Sequence, residues 1–75
     1  MTQPTIAFIG AGNMAGSLIN GLISDGYDPA CILASDTNAA ALAAMSRRTG
    51  VRTTADNAVA ADADVVVLAV KPQML

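Results

Sequence analysis

The stretch Thr5-Ile6-Ala7-Phe8-Ile9-Gly10-Ala11-Gly12-Asn13-Met14-Ala15 decides the fold. Its first five residues are apolar or β-branched and stop at a glycine, which predicts a short strand. Beyond the glycines, Asn13 offers an N-cap, and Met14, Leu18 and Leu22 recur every four residues. Ile19 and Ile23 widen that apolar stripe, so a helix is expected from Met14 to Ser24, closed by Gly26 after Asp25. Between strand and helix lies Gly10-Ala11-Gly12-Asn13-Met14-Ala15, a G-x-G-x-x-A in the place a dinucleotide-binding fingerprint occupies. Each position has a physical reason. Gly10 can take the backbone angles of the tight turn. Gly12 has no Cβ, so a pyrophosphate can approach its main chain, and Ala15 is small enough for the helix to lie close on the strand. The helix N-terminus then presents unpaired N–H groups and a partial positive charge to the phosphates. A tight turn that binds nothing is the competing reading. Gly16 and Gly21 read as close-packing positions.

Working outward, the chain alternates strand and helix. Tyr27-Asp28-Pro29 is a loop, with Tyr27 its half-buried anchor, and Cys31–Ser35 is a second strand. Thr37 or Asn38 can cap a second helix from Ala39 to Arg48, closed by Gly50, with Arg47 and Arg48 at its favourable C-terminal end. Val51–Thr53 is a brief third strand and Asn57–Ala61 one or two helical turns. Val65-Val66-Val67-Leu68-Ala69-Val70 does not alternate, and a strand apolar on both faces belongs in the middle of a parallel sheet covered by helices. With right-handed crossovers the string β-α-β-α-β-α-β becomes an α/β, Rossmann-like parallel sheet in the order 3-2-1-4 with flanking helices. The last strand then lies on an open apolar edge, which something is expected to cover. On that ground residues 1–75 read as a fragment of a longer chain, a partial and truncated NAD(P)-binding domain.

Two strand ends carry further chemistry. The fingerprint calls for an acid about 20 residues on, for the adenine ribose. Asp36 follows Ala15 by 21 residues, directly after Ser35. Its carboxylate can accept from both ribose hydroxyls and would repel a 2′-phosphate, which favours NADH; the alternative is a plain Ser-Asp-Thr-Asn turn. At the end of the fourth strand, Lys71 is the only lysine, and Pro72 turns the chain there. Lys71 falls where such sheets hold ligands, within reach of a nicotinamide ribose or a substrate carboxylate. An ordinary surface lysine is the competing reading.

Composition excludes other classes. The 75 residues include one cysteine, so no internal disulfide is possible, and no histidine. Cys31 reads as a small core residue. Asp62 and Asp64 read as a solvated turn, and no metal is expected. A net charge of −2 argues against nucleic acid. No apolar run approaches the roughly 20 residues of a membrane span. No basic segment precedes an apolar core at the N-terminus, so the chain is expected in the cytoplasm, with no membrane partner. Sixteen of the 75 residues are alanine, which suits helices lying tightly on a sheet.

Two motifs together carry a family resemblance. Ile9-Gly10-Ala11-Gly12-Asn13-Met14-Ala15, followed by Val67-Leu68-Ala69-Val70-Lys71-Pro72-Gln73, resembles the N-terminal half of pyrroline-5-carboxylate reductase. The likeness runs along essentially the whole chain, and it implies that this partial domain is the N-terminal one. It implies an oxidoreductase of proline biosynthesis, moving hydride from NADPH or NADH to a cyclic imino acid to give L-proline. It implies cofactor contacts at Gly10, Ala11, Gly12, Asn13, Met14 and Ala15, then Ser35 or Asp36, then Asn57 at the adenosine end. Ala69, Val70, Lys71 and Pro72 would line the nicotinamide ribose. It also implies a C-terminal helical domain, absent here, that makes the homo-oligomer and holds most of the catalytic groups, which cannot be named. One departure stands out: the family commonly uses NADPH with small neutral residues after the second strand, where this chain has Asp36. Other readings are the cofactor domain of another small-substrate NAD(P)-dependent dehydrogenase, or a stand-alone dinucleotide-binding sensor.

Overall fold

A computed structural model describes residues 3–69. The elements are β1 (Ile6–Ile9), α1 (Asn13–Ser24), a 3-10 turn (Pro29–Cys31), β2 (Ile32–Ser35), α2 (Ala39–Thr49), β3 (Arg52–Thr54), α3 (Asn57–Ala61) and β4 (Val65–Leu68). The four strands are all parallel, in the order β3-β2-β1-β4 that the sequence predicts. Ile6 pairs with Ile32 on one side and with Val65 on the other.

Alternation along the strands divides the core in two. Phe8, Ile32 and Ala34 face α1 and α2, where Ala15, Ile19, Leu42 and Met45 meet them. Ala7 and Leu33 face the other way, against Ala60 of α3. Ile19 is fully buried, and removing its side chain to alanine would cost about 2–5 kcal/mol. The alanine content is put to use at the contacts: Ala7, Ala15, Ala34 and Ala60 are each inaccessible to solvent.

Both long helices end as their glycines predict. At the close of α1, the Tyr27 N–H donates to the Leu22 carbonyl and the Gly26 N–H to that of Ile23, with Gly26 at φ 96°. These two bonds form a Schellman motif. α2 ends at Gly50 with φ 78°. Asn38, not Thr37, caps its start, accepting from the Ala40 and Ala41 N–H groups at 3.0 and 3.2 Å. The Tyr27 hydroxyl donates to the Pro4 carbonyl, anchoring the loop as expected.

Four local expectations shift. The N-cap of α1 is Gly12, and Asn13 is the first helical residue. Gly12 has extended backbone (φ −85°, ψ −162°), so the cap position falls there whatever side chain follows. Cys31 closes the 3-10 turn and is only half-buried, because Asp28 accepts from the Ala30 N–H and Pro29 starts the turn. β3 begins one residue later than predicted, since the left-handed Gly50 and the buried Val51 serve as the connection. Gly21, read as a packing site, is exposed, whereas Gly16 is buried with Met45 Cε 3.8 Å from where its Cβ would stand.

Candidate functional site

In an all-parallel sheet every strand ends on the same edge, and here that edge gathers the expected residues. Gly10 leaves β1, Ser35 ends β2 with Asp36 beyond it, and Ala69 follows β4. The strand ends at this edge are tied together by main-chain bonds. The Gly10 N–H donates to the Ser35 carbonyl at 2.6 Å, the Ala69 N–H to Ile9 at 2.9 Å and the Asp36 N–H to Thr54 at 3.3 Å. Gly10 has φ 110°, a conformation that side-chain-bearing residues rarely adopt.

The first turn of α1 sits directly above. Its first helical bond runs from the Gly16 N–H to the Gly12 carbonyl, 3.0 Å. The N–H groups of Asn13, Met14 and Ala15 therefore have no intrahelical acceptor, and Gly12 contributes no side-chain cap. A Cβ added to Gly12 would meet nothing within 4 Å. The main chain is bare at that point, and the space above it is open. Ala11 and Ala15 are buried beneath. This combination of free N–H donors, a helix dipole and an unshielded backbone can receive a diphosphate.

Asp36 has a role that spacing alone does not reveal. One carboxylate oxygen accepts from the Ala11 N–H at 2.9 Å, and the other from the Asn38 N–H at 2.9 Å. The second bond is the turn anticipated from Ser-Asp-Thr-Asn. The first ties the glycine loop to the end of β2. The Ala11 N–H, then the Asn38 N–H, hold the carboxyl below the usual carboxylate range, against the opposing effect of partial burial. Each oxygen keeps a second acceptor site, so the bonds already made leave capacity for ribose hydroxyls.

Ser35 is fully buried, and its hydroxyl donates to Asn57 Oδ1 at 2.5 Å. That bond leaves both amide hydrogens of Asn57 available at the exposed start of α3. Ser35 and Asn57, expected separately from the sequence, are thus one hydrogen-bonded unit. Its signal lay in the strand order, which sets the end of β2 beside both the glycine loop and the β3–α3 turn. Asn13 and Met14 are exposed on the first turn of α1. Val70, Lys71 and Pro72 lie outside the described residues. Asp64 accepts from the Thr5 N–H at 2.9 Å. Among the described residues no group of three or more side chains could hold a metal ion, and no helix is long and apolar enough to cross a membrane.

The model of one family, described as NADP oxidoreductase coenzyme F420-dependent, matches residues 5–75. The chain belongs to that family. Among similar proteins, a pyrroline-5-carboxylate reductase of Pseudomonas aeruginosa is 53% identical over 76 residues, and one of Vibrio alginolyticus 47% identical over the same length. Each covers all of this chain, while the chain spans 28% of each relative. A solved pyrroline-5-carboxylate reductase of Coxiella burnetii superposes with a TM-score of 0.87 at 47% identity, over 95% of this chain and 27% of its own. The WlbA dehydrogenase of Chromobacterium violaceum, solved with NADH and UDP-GlcNAcA, gives a TM-score of 0.70 at 28% identity, over 93% of this chain and 22% of its own. The Rossmann-like sheet found here is thus shared with both solved structures, and the likeness to pyrroline-5-carboxylate reductases expected from the two motifs is present along the full chain.

Proposed function

We propose that these residues are the cofactor-binding part of an NAD(P)H-dependent pyrroline-5-carboxylate reductase. The carrying observation is the open first turn of α1 above a Gly12 whose missing Cβ leaves the backbone unshielded. The residues fit a dinucleotide. Gly10 to Ala15 would take the diphosphate, Asp36 and Asn57 the adenosine end, and Ala69 with Val70, Lys71 and Pro72 the nicotinamide ribose. The choice among reactions rests on the relatives, which carry the reductase name at 42–53% identity. The cofactor would supply a hydride to the C=N carbon of 1-pyrroline-5-carboxylate, giving L-proline.

The chain's own contribution is orientation. Donors along the glycine loop fix the diphosphate, and the Ser35–Asn57 pair fixes the adenosine end. The proton for the imine nitrogen and the grip on the substrate carboxylate would come from elsewhere in the protein, in a helical domain that also makes the homo-oligomer. The sequence has no histidine or glutamate to offer. Both cofactors fit. Asp36 is charged, which disfavours a 2′-phosphate, yet two N–H groups already offset that charge. The reading places the enzyme in the cytoplasm. Full-length protein should oxidise NADPH or NADH only when pyrroline-5-carboxylate is present, with proline formed in equal amount. Cofactor binding without proline formation would instead favour another dehydrogenase or a sensor.

A further inference from the structure

Ser35 is the one buried polar residue among the described residues, at 0% exposure. A buried hydroxyl is costly unless it is hydrogen-bonded, and alanine fills equally buried strand positions at Ala7 and Ala34. The hydroxyl therefore needs a reason. Among the described residues its hydrogen-bond partner is Asn57 Oδ1, at 2.5 Å, and no buried side-chain polar atom lacks a partner. That distance belongs to an O–H···O bond and is short for N–H···O. An amide oxygen can only accept, so the serine proton points at it. The bond thus decides which way round the Asn57 amide lies, with its oxygen toward Ser35 and its NH2 outward. Asn57 is exposed, and α3 does not need it as a cap, because Asp56 accepts from the Ala58 N–H at 2.9 Å. Ser35 is a firm support for this arrangement, since its own carbonyl accepts from the Gly10 N–H at 2.6 Å.

We propose that Ser35 is a positioning residue that acts through Asn57: it holds the amide with only donors outward, so that this end of the site reads a hydrogen-bond acceptor, a ring nitrogen or sugar oxygen of the adenosine. Ser35 itself offers a ligand no surface, so a direct contact after β2 falls to Asp36, which is only partly buried. Without the hydroxyl, the Asn57 amide is free to turn over and to leave its rotamer. Half of its orientations then aim an oxygen, not an NH2, at the acceptor. A ligand must re-order the side chain on binding, and that cost appears as lost affinity. The inference rests on the reading of these residues as a dinucleotide site, and not on which reaction the whole protein carries out.

The test is a double-mutant cycle in the full-length chain, read by calorimetric titration with NADH and with NADPH, with Tm measured alongside. Ser35→Ala should weaken binding of the better-bound dinucleotide about three- to tenfold, while Tm falls by no more than about 5 °C. In an Asn57→Ala background the same substitution should change affinity less than about twofold, because the group through which Ser35 acts is gone. A Ser35 that served only the fold would weaken both backgrounds alike, so equal losses overturn the inference, as does an unchanged affinity in Ser35→Ala. A second arm tests the polarity of the amide. Asn57→Asp keeps an acceptor for Ser35 and turns an acceptor outward, so binding should fall at least as far as in Asn57→Ala; unchanged binding overturns the inference. Binding without coupling between the two residues defeats this inference alone. An unaltered chain that binds neither dinucleotide would defeat the cofactor reading, and the inference with it.

Discussion

Gly12 and Asp36 divide the work of the site, and each yields a separable expectation. Because a Cβ at Gly12 meets nothing within 4 Å, Gly12→Ala should leave the full-length protein's Tm within about 2 °C of its starting value. The methyl group would stand where the diphosphate approaches, so dinucleotide affinity by calorimetry should fall at least tenfold, about 1.4 kcal/mol. A large loss of Tm would show that Gly12 serves the turn alone. Asp36→Ser should lower the NADH-to-NADPH preference ratio and also weaken NADH binding several-fold, since the bond to Ala11 is lost with the charge. An unchanged ratio, with both cofactors weakened alike, would assign Asp36 only to holding the loop. Its folded-state carboxyl lies below the ordinary range. The stability it contributes is therefore fully present above the unfolded value of about 3.9 and is lost as pH falls through the folded value. Urea unfolding between neutral and acidic pH should show this decline, and Asp36→Asn should flatten it.

At the scale of elements, much was legible because the signals were local. Gly26 and Gly50 sit where αL residues close α1 and α2, and both do so. The strand order followed from the alternation of elements and the handedness of crossovers. What was not legible depended on dihedral angles or on partners distant in sequence. Asn13 has the right chemistry for a cap, but the extended backbone of Gly12 moves the cap one residue earlier. Cys31 looked like strand because Asp28 and Pro29 form their turn only once the Ala30 N–H is engaged. The Ala11–Asp36 bond joins residues 25 apart and is visible only when β1 and β2 are neighbours. The caps themselves are testable. Asn38→Ala removes both acceptor bonds at the start of α2 and should cost about 1 kcal/mol in denaturant unfolding, with no effect on cofactor preference.

For the molecule as a whole, β4 governs behaviour in solution. Its Val65, Val66 and Leu68 are exposed, as are Met14 and Leu18 of α1. Unpaired apolar edges invite pairing between chains. Residues 1–75 prepared alone should therefore associate with rising concentration in sedimentation velocity, and Leu68→Lys should reduce that association. A monomer at all concentrations would show that the edge is tolerable without cover.

The bonds from Gly10 to Ser35 and from Ala11 to Asp36 have a practical consequence for protein engineers. In a Rossmann-like fold the residues after the second strand are the natural place to alter which nicotinamide coenzyme is read. In this chain those residues are also the peg on which the glycine loop hangs. If the proposed function holds, replacing them alone would change recognition of the ribose and, through the lost Ala11 bond, disturb the glycine loop in the same stroke. A successful redesign has to supply a new acceptor for the Ala11 N–H along with the new specificity.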